Sequence, residues 1–300
     1  VLAGQILPIT QDWSDQIGVV VLDIRLPRIL AALLVGAALS VSGASYQGLF
    51  RNPMVSPDIL GVSHGASVGA ALAILFGYGM LAIQLMAFAG GLVAVTATWI
   101  IGAAFGRRGD PVLVMVLAGV IIGTLFGAFV SLIKFVADPN NTLPAITFWL
   151  MGSLASVSMD NVTGAALPIL AGIAGLIVLA WPLNVLCFGE DEARTMGLDT
   201  GRMRLLVIAC ATLVTATAVA ISGVVGLVGL VVPHLARMLV GPDYRVLIPV
   251  SALMGGGFLL AVDDLARSLS EVEIPLGIVT AIIGSVFFIY LLGRTRRAWV

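Results

Sequence analysis

The sequence predicts an all-α, polytopic membrane protein with ten transmembrane helices. Of its 300 residues, 60% are hydrophobic and only 10% are charged, whereas a soluble domain carries about 25% charged residues. The mean hydropathy is +1.12, and successive apolar runs of the length that crosses a bilayer fill nearly the whole chain. We therefore expect residues 1–300 to form a single transmembrane domain.

The apolar runs are bounded by charged residues, Pro and Gly, and they define the predicted helices in chain order. An opening apolar stretch, residues 1–9, is too short to span and indicates that the first helix is incomplete in this sequence. Segments 144–155 and 271–277 are too short or too polar to span, and they are predicted as half-helices or re-entrant pieces. The complete spans are predicted at 26–49, 59–79, 81–105, 112–136, 163–186, 205–221, 224–240, 246–267 and 276–293.

The distribution of Lys and Arg predicts the orientation of these helices, because cytoplasmic loops retain positive charge. Of the 15 Lys and Arg residues, only Arg25, Arg28, Lys134 and Arg267 fall on the side with fewer bases. The polar segment 189–204 and the C-terminus fall on the other side and are predicted to be cytoplasmic. The loops at 10–25, 137–162 and 268–275 are predicted to be external.

Several classes of function are excluded by residues that the sequence lacks. A net charge of −1 without any basic block argues against nucleic acid as a partner. The only lysine, Lys134, follows Ile133, so the chain has no Gly-Lys-Ser/Thr phosphate loop with which to hydrolyse ATP. No spacing of His, Cys, Asp or Glu predicts a metal site or a cofactor, and helix centres hold almost no titratable residues for catalysis or proton-driven transport. We expect another protein to supply the energy.

Charged residues at the predicted external helix ends are candidates for partner contacts. Arg25, Arg28 and Arg267 can offer bidentate hydrogen bonds to the carboxylates of a soluble acidic partner. Interfacial anchoring by snorkelling is the alternative for these arginines. Asp263 and Asp264 precede Arg267 by four and three residues, a spacing that predicts a charge-neutralised group near a helix end. A metal or proton-relay role is the alternative for the two acids.

Residues 189–204, here called the polar island, hold four of the 16 acids and three of the 15 bases between two long apolar runs. So much charge in one short segment of an apolar chain predicts a contact with another protein. Nearer the start of the chain, residues 51–58 read Arg-Asn-Pro-Met-Val-Ser-Pro-Asp, which forces a non-helical turn. This turn is either a plain loop or a constriction with Asn52 and Met54 directed toward a central axis.

Three long motifs resemble the iron-chelate and cobalamin uptake permeases of bacterial ABC importers. The first runs from Arg-Leu-Pro-Arg at 25–28 to Arg-Asn-Pro-Met-Val-Ser-Pro-Asp-Ile-Leu-Gly-Val-Ser-His-Gly-Ala at 51–66. The second is Gly-Leu-Val-Gly-Leu-Val-Val-Pro-His-Leu-Ala-Arg at 226–237, and the third is Glu-Ile-Pro-Leu-Gly-Ile-Val-Thr-Ala-Ile-Ile-Gly at 273–284. The similarity covers the chain from about residue 20 to residue 293.

The resemblance implies an inverted-repeat permease of ten helices per subunit in the cytoplasmic (inner) membrane of a bacterium or archaeon. It implies a homodimer with two cytoplasmic ATPase subunits and a periplasmic binding protein, and no cofactor. The polar island matches the loop that seats in the ATPase, and Arg25, Arg28 and Arg267 match arginines that pair with glutamates of the binding protein. Under this resemblance the coupling residues are Glu190, Glu192, Arg194 and Gly197, and the gate residues are Asn52, Met54, Val112 and Leu113.

The function that follows is ATP-driven import of a metal chelate or related cargo. The family as a whole carries ferric siderophores, haem, cobalamin, and molybdate or tungstate, and the sequence does not select among them. The alternative is a self-contained secondary carrier or channel, which would move substrate without ATPase subunits.

Overall fold

A computed structural model describes residues 14–106 and 111–295, which form an all-helical protein without any β-strand in those ranges. Helix α1 (Asp15–Val19) continues through a π-helical segment (Val20–Arg25) into α2 (Leu26–Leu49). A 3-10 turn (Pro57–Leu60) follows α2. The later helices are α3 (Val62–Leu75), α4 (Met80–Phe105), α5 (Pro111–Val136), α6 (Thr142–Met151), α7 (Met159–Val178), α8 (Ala180–Phe188), α9 (Glu190–Thr195), α10 (Thr200–Ser222), α11 (Val228–Val240), α12 (Tyr244–Ser268) and α13 (Leu276–Thr295).

Five of these helices are long and apolar enough to cross a membrane by length and composition, namely α4, α5, α7, α10 and α12. Four shorter helices, α3, α6, α11 and most of α13, are also apolar. The membrane class is therefore confirmed. The incomplete first helix falls in residues 1–13, outside the described residues, so the total of ten helices stays a prediction.

The predicted external loop at 10–25 is wrong for residues 15–25, which are helical and continuous with α2. The cause of the local π-helical geometry lies at Pro27. This residue has no N–H to donate to the carbonyl of Asp23, and its ring would clash with that carbonyl in a regular α-helix. A wider turn just before Pro27 relieves the clash and lets the helix continue.

The predicted single span at 163–186 is also wrong, because the structure divides it into α7 and α8 at Leu179. Pro182 explains the division, since its ring cannot follow the carbonyl of Val178 in an uninterrupted helix. The helix therefore ends at Val178 and restarts at Ala180 with Pro182 in its first turn. Of the two short segments, the first forms the ten-residue helix α6, whereas residues 271–275 are not helical.

Helix α2 occupies the centre of the bundle and is buried along most of its length. It lies against α12 where Gly36 meets the backbone of Gly255, and against α11 where Gly43 meets the backbone of Gly229. At both contacts an added Cβ would overlap the carbonyl oxygen of the opposite glycine. Small residues thus bring the helix backbones together, as expected in lipid, where helices gain little from hydrophobic contact with one another.

The bundle has two polar ends, which we name by their contents. The island end carries the polar island and the C-terminal end of α2, where the Cys187 thiol approaches the Gly48 carbonyl at 3.8 Å. The arginine end carries Arg28 near the start of α2. A helix of 24 residues is about 36 Å long, so α2 extends from one polar end to the other.

Candidate functional site

The polar island folds into a short helix and a turn at its end of the bundle. Helix α9 has acids at 190–192 in its first turn and Arg194 in its last turn, an order that complements the helix dipole. Gly189, at φ 133°, separates α9 from α8. The Asp199 carboxylate begins α10 by accepting a hydrogen bond of 3.0 Å from the Arg202 N–H. Local sequence thus gives the island a defined shape.

A Schellman turn ends α9 and fixes the direction in which the chain enters α10. The Leu198 N–H donates to the Ala193 carbonyl at 3.0 Å, and the Gly197 N–H donates to the Arg194 carbonyl at 2.9 Å. Gly197 has the left-handed φ of 82° that this motif requires. No atom lies within 4 Å of a Cβ built at Gly197, so a side chain there meets backbone strain rather than a steric clash.

The charged residues of the island divide into internal and outward groups. Glu190 pairs with Arg204 of α10 and lies 3.7 Å from Arg194, so it links α9 to α10. Within α9, Ala193 is fully buried, whereas Glu192 and Arg194 are exposed. The structure therefore brings the four predicted coupling residues together in one element, with Glu190 on its inner side.

Helix α8, which precedes the island, is hydrogen-bonded to the start of α12. The Asn184 side-chain amide donates to the Asp243 carboxylate at 2.6 Å, and its oxygen accepts from the Tyr244 N–H at 3.0 Å. The Arg245 N–H also donates to Asp243. Together the Arg245 N–H and Asn184 hold the pKa of the Asp243 carboxyl below its usual range. The polar island is therefore linked through α8 to the start of α12.

The predicted gate residues Asn52 and Met54 lie in an exposed turn at the island end. The Asn52 side-chain oxygen accepts from the Met54 N–H at 2.9 Å, and the Asn52 N–H donates to the Gln47 carbonyl at 3.0 Å. Asn52 thereby holds its own turn by the local bonding typical of this residue. The Met54 side chain is 59% exposed and projects from the turn.

The other predicted gate residues, Val112 and Leu113, lie in the first turn of α5. Val112 packs against the main core, whereas Leu113 is exposed. Two turns further along α5, Gly119 lies against the Ile59 carbonyl so closely that a Cβ would overlap it. This contact joins α5 to the segment that follows Asn52 and Met54, so the two predicted gate elements belong to one packed unit.

A cleft with Asp58 and His64 in its lining lies near the middle of α5 and was not expected from the sequence. It measures about 370 Å³ and is lined by Asp58, His64 and the glycine-bearing face of α5. The Asp58 carboxylate accepts from the Ser63 hydroxyl, and His64 lies against Gly123, near the midpoint of that 26-residue helix. His64 lies in the first turn of α3, so the expectation of almost no titratable residues at helix centres is not contradicted, although packing places this side chain beside the middle of α5. The 3-10 turn after Pro57, which no apolar run reveals, places this group there.

At the arginine end, two carboxylates hold Arg28. The Asp263 carboxylate accepts from Nε at 2.9 Å and from Nη2 at 2.9 Å, a bidentate arrangement. The Glu273 carboxylate accepts from Nη1 at 2.8 Å. The Asp263 side chain is 1% exposed and that of Glu273 is 40% exposed. Arg28 therefore lies inside the protein, although it was predicted to share the docking role of Arg25.

The predicted pairing of Arg267 with the preceding acids is confirmed. Its Nε lies 3.5 Å from the Asp263 carboxylate, and its Nη2 pairs with the Asp264 carboxylate. Arg25 is exposed. Of the three predicted docking arginines, Arg25 is the most accessible, Arg267 is partly covered, and Arg28 is buried behind Glu273. Sequence reasoning missed Glu273 as a partner, although its position just before the apolar α13 was a signal.

The fold and these polar groups define a helical membrane protein with an ordered contact element at each end. Across residues 14–106 and 111–295, no group of three or more His, Cys, Asp or Glu side chains could hold a metal ion. The FecCD transport family model matches residues 2–294. The chain belongs to the FecCD transport family.

Relatives and solved structures agree with this family. The chain is 41% identical over 278 residues to a molybdate import system permease protein of Haemophilus influenzae, covering 93% of this chain and 82% of the relative. It is 46% identical over 275 residues to a cobalamin import system permease protein of Halobacterium salinarum, covering 91% and 73%. A solved inward-facing structure, described as a metal-chelate type ABC transporter, is 40% identical with a TM-score of 0.89, covering 96% of this chain and 91% of that one.

We predict that Asp263→Ala destabilises the protein by about 3 kcal/mol, because it removes the main partner of the buried Arg28 while Glu273 remains. The free energy of unfolding in SDS measures the loss. Asp264→Ala is the control, since that side chain is 61% exposed and its surface pair contributes at most about 1 kcal/mol. Equal losses in the two variants would contradict the structural role of the Arg28 pair.

Proposed function

We propose that this chain is the transmembrane permease subunit of an ATP-driven importer. One observation carries the proposal: the polar island is a folded, outward-facing element that is fastened through α8 to the start of α12. Such an element can transmit a push from a separate ATPase into the bundle. The family and the permease names of its relatives support the same function.

The proposed partners follow from the two ends of the bundle. Two cytoplasmic ATPase subunits contact the polar islands of a homodimer, with Glu192, Arg194 and Gly197 on the contact face and Glu190 supporting it from within. A periplasmic binding protein docks at the arginine end through Arg25, Arg267 and Arg28. The protein lies in the cytoplasmic (inner) membrane with its C-terminus in the cytoplasm, as the Lys and Arg distribution predicts.

The proposed transport cycle alternates access through the ends of the bundle. ATP binding moves the islands, and the helices rock so that cargo enters at the arginine end and leaves past the turn at Asn52 and Met54. The exposed Met54 and Leu113 make this exit a hydrophobic constriction.

The proposed cargo is a metal chelate or a related compound such as a ferric siderophore, haem, cobalamin, molybdate or tungstate. The two relatives described above are named for molybdate and cobalamin, at 41% and 46% identity. Relatives of similar identity therefore carry chemically different cargo. Binding of candidate cargoes by the cognate periplasmic protein is the measurement that selects among them.

The importer requires ATPase subunits for flux, whereas a secondary carrier does not. We expect proteoliposomes with the permease and its ATPase to take up cargo delivered by the binding protein when ATP is supplied. Liposomes with the permease alone should show no uptake above that of empty liposomes. Cargo flux through the permease alone would favour the self-contained carrier or channel.

Substitution at Gly197 tests the island as the coupling element. Gly197→Val forces a β-branched residue to a φ of 82°, which costs about 1–2 kcal/mol, and we expect it to lower cargo moved per ATP hydrolysed. Gly197→Asn is the matched control, because asparagine tolerates this conformation. The ratio of transport to ATP hydrolysis in proteoliposomes measures the effect. Equal ratios for Val, Asn and the native glycine would contradict the proposed role.

Charge reversal at Arg25 tests docking at the arginine end. Arg25→Glu should weaken binding of the periplasmic protein roughly tenfold, because an exposed cation that meets an acidic partner becomes repulsive. The Kd measured with nanodisc-embedded permease reports the change. Lys134→Glu is the control, as it makes the same charge change at a base of the same predicted side. Docking is contradicted at Arg25 if the two variants have the same Kd.

A further inference from the structure

The two carboxylates that hold Arg28 are not equivalent. Asp263 accepts from the Nε and Nη2 groups and is almost fully buried, so its contact is closed to other molecules. Glu273 accepts from Nη1 with both oxygens, at 2.8 and 3.0 Å, and its side chain is 40% exposed. Arg28 therefore has one permanent acidic partner and one that solvent can reach.

The charged side chains around Arg28 already have a net negative charge. Two arginines, Arg28 and Arg267, contact three carboxylates, Asp263, Asp264 and Glu273, so the cluster has a formal charge of −1. Another carboxylate cannot be added to Arg28 without repulsion from those present. It can replace Glu273 without changing the charge that Arg28 experiences.

We propose that Glu273 is an internal substitute for a carboxylate of the binding protein. In the free permease it occupies the Nη1 side of Arg28, and on docking it yields this side to an acidic residue of the partner. This inference rests on the docking of a binding protein at the arginine end, proposed above. Glu273 thus acts as a positioning residue, because it sets how readily Arg28 is offered to the partner.

Backbone hydrogen bonds limit how much of the chain can move when Glu273 leaves Arg28. The Ile274 N–H donates to the Ala266 carbonyl at 3.3 Å, and the Leu276 N–H donates to the Gly152 carbonyl at 2.9 Å. These bonds hold the chain on the α13 side of Glu273. The Leu269 N–H donates to the Leu265 carbonyl at 3.1 Å on the other side, so loss of the Arg28 contact affects residues 270–273 and leaves the start of α13 in place.

The test compares two neutralisations in the same segment. Glu273→Gln removes the charge that competes for Arg28, while the Arg28–Asp263 pair remains to hold the fold. Glu271→Gln removes the same charge two residues away, from an exposed side chain. The Kd of the cargo-free cognate binding protein is measured on permease in nanodiscs at about 0.15 M salt, where distant surface charges are largely screened.

We expect Glu273→Gln to bind the partner about three- to fivefold more tightly than the native permease, which is the upper part of the range of a single exposed charge contact. Glu271→Gln should change the Kd less than about twofold. Tighter binding only for Glu273→Gln supports the exchange. If the native permease binds and both variants share one Kd, the exchange is overturned and docking stands. If the native permease does not bind, the docking proposal falls and the exchange with it.

A double variant tests whether the gain in affinity depends on Arg28. In the Arg28→Gln background, Glu273→Gln should give no gain in affinity, since no guanidinium remains to be released. An undiminished gain in that background would overturn the exchange. Should Arg28→Gln not fold, the comparison of Glu273→Gln with Glu271→Gln decides the matter alone.

Discussion

Direct backbone contact between α2 and its neighbours α11 and α12 is the constraint on which the rest of the structure depends. In lipid, apolar side chains gain little by leaving one hydrocarbon surface for another, so helices associate where their backbones can approach. Gly36 with Gly255, and Gly43 with Gly229, provide these approaches. The Arg28–Asp263 pair and the Asn184–Asp243 contact both involve helices that these approaches hold.

Both polar ends are attached to the same pair of helices. Near one end of the pair, Arg28 of α2 binds Asp263 of α12. At the other end, Asp243 and the first residue of α12 bind Asn184, which leads to the polar island. The pair is therefore a continuous connection between the surface assigned to the binding protein and the surface assigned to the ATPase. Its ion pair and its hydrogen bonds lie near the helix ends, and the buried charges of Arg28 and Asp263 are neutralised by each other rather than by water.

Sequence reasoning succeeded where the relevant information is local. Length and hydropathy predict the spanning helices, and spacing within one helix predicts the pairing of Arg267 with Asp263 and Asp264. The polar island was visible as an excess of charge, although its Schellman turn required the φ of Gly197. Local patterns also explain two errors after the fact, since Pro27 and Pro182 alter helices in ways that hydropathy does not register.

Contacts between distant parts of the chain were not predictable in the same way. Arg28 and Asp263 are 235 residues apart, and no periodicity in one sequence relates them. Arg28 therefore resembled Arg25 as an exposed base, although the structure buries it. His64 was missed for a related reason, because only the packing of a 3-10 turn against α5 places it near the middle of that helix. These residues depend on tertiary packing, which a single sequence does not encode at short range.

The glycine contacts also determine which motions the bundle can make. At Gly43 and Gly229 even one methyl group would overlap a carbonyl, so an axial slip of α2 that moves Leu39 or Gln47 into this position is sterically blocked. The two contacts thus oppose sliding of α2 along α11 and α12. An interruption lies near Leu179, where Pro182 cannot donate to the Val178 carbonyl, although the Leu179 N–H still donates to the Gly175 carbonyl. Because α8 is hydrogen-bonded to the start of α12 through Asn184, the break at Leu179 separates α7 from the part of the bundle that contains α8 and α12.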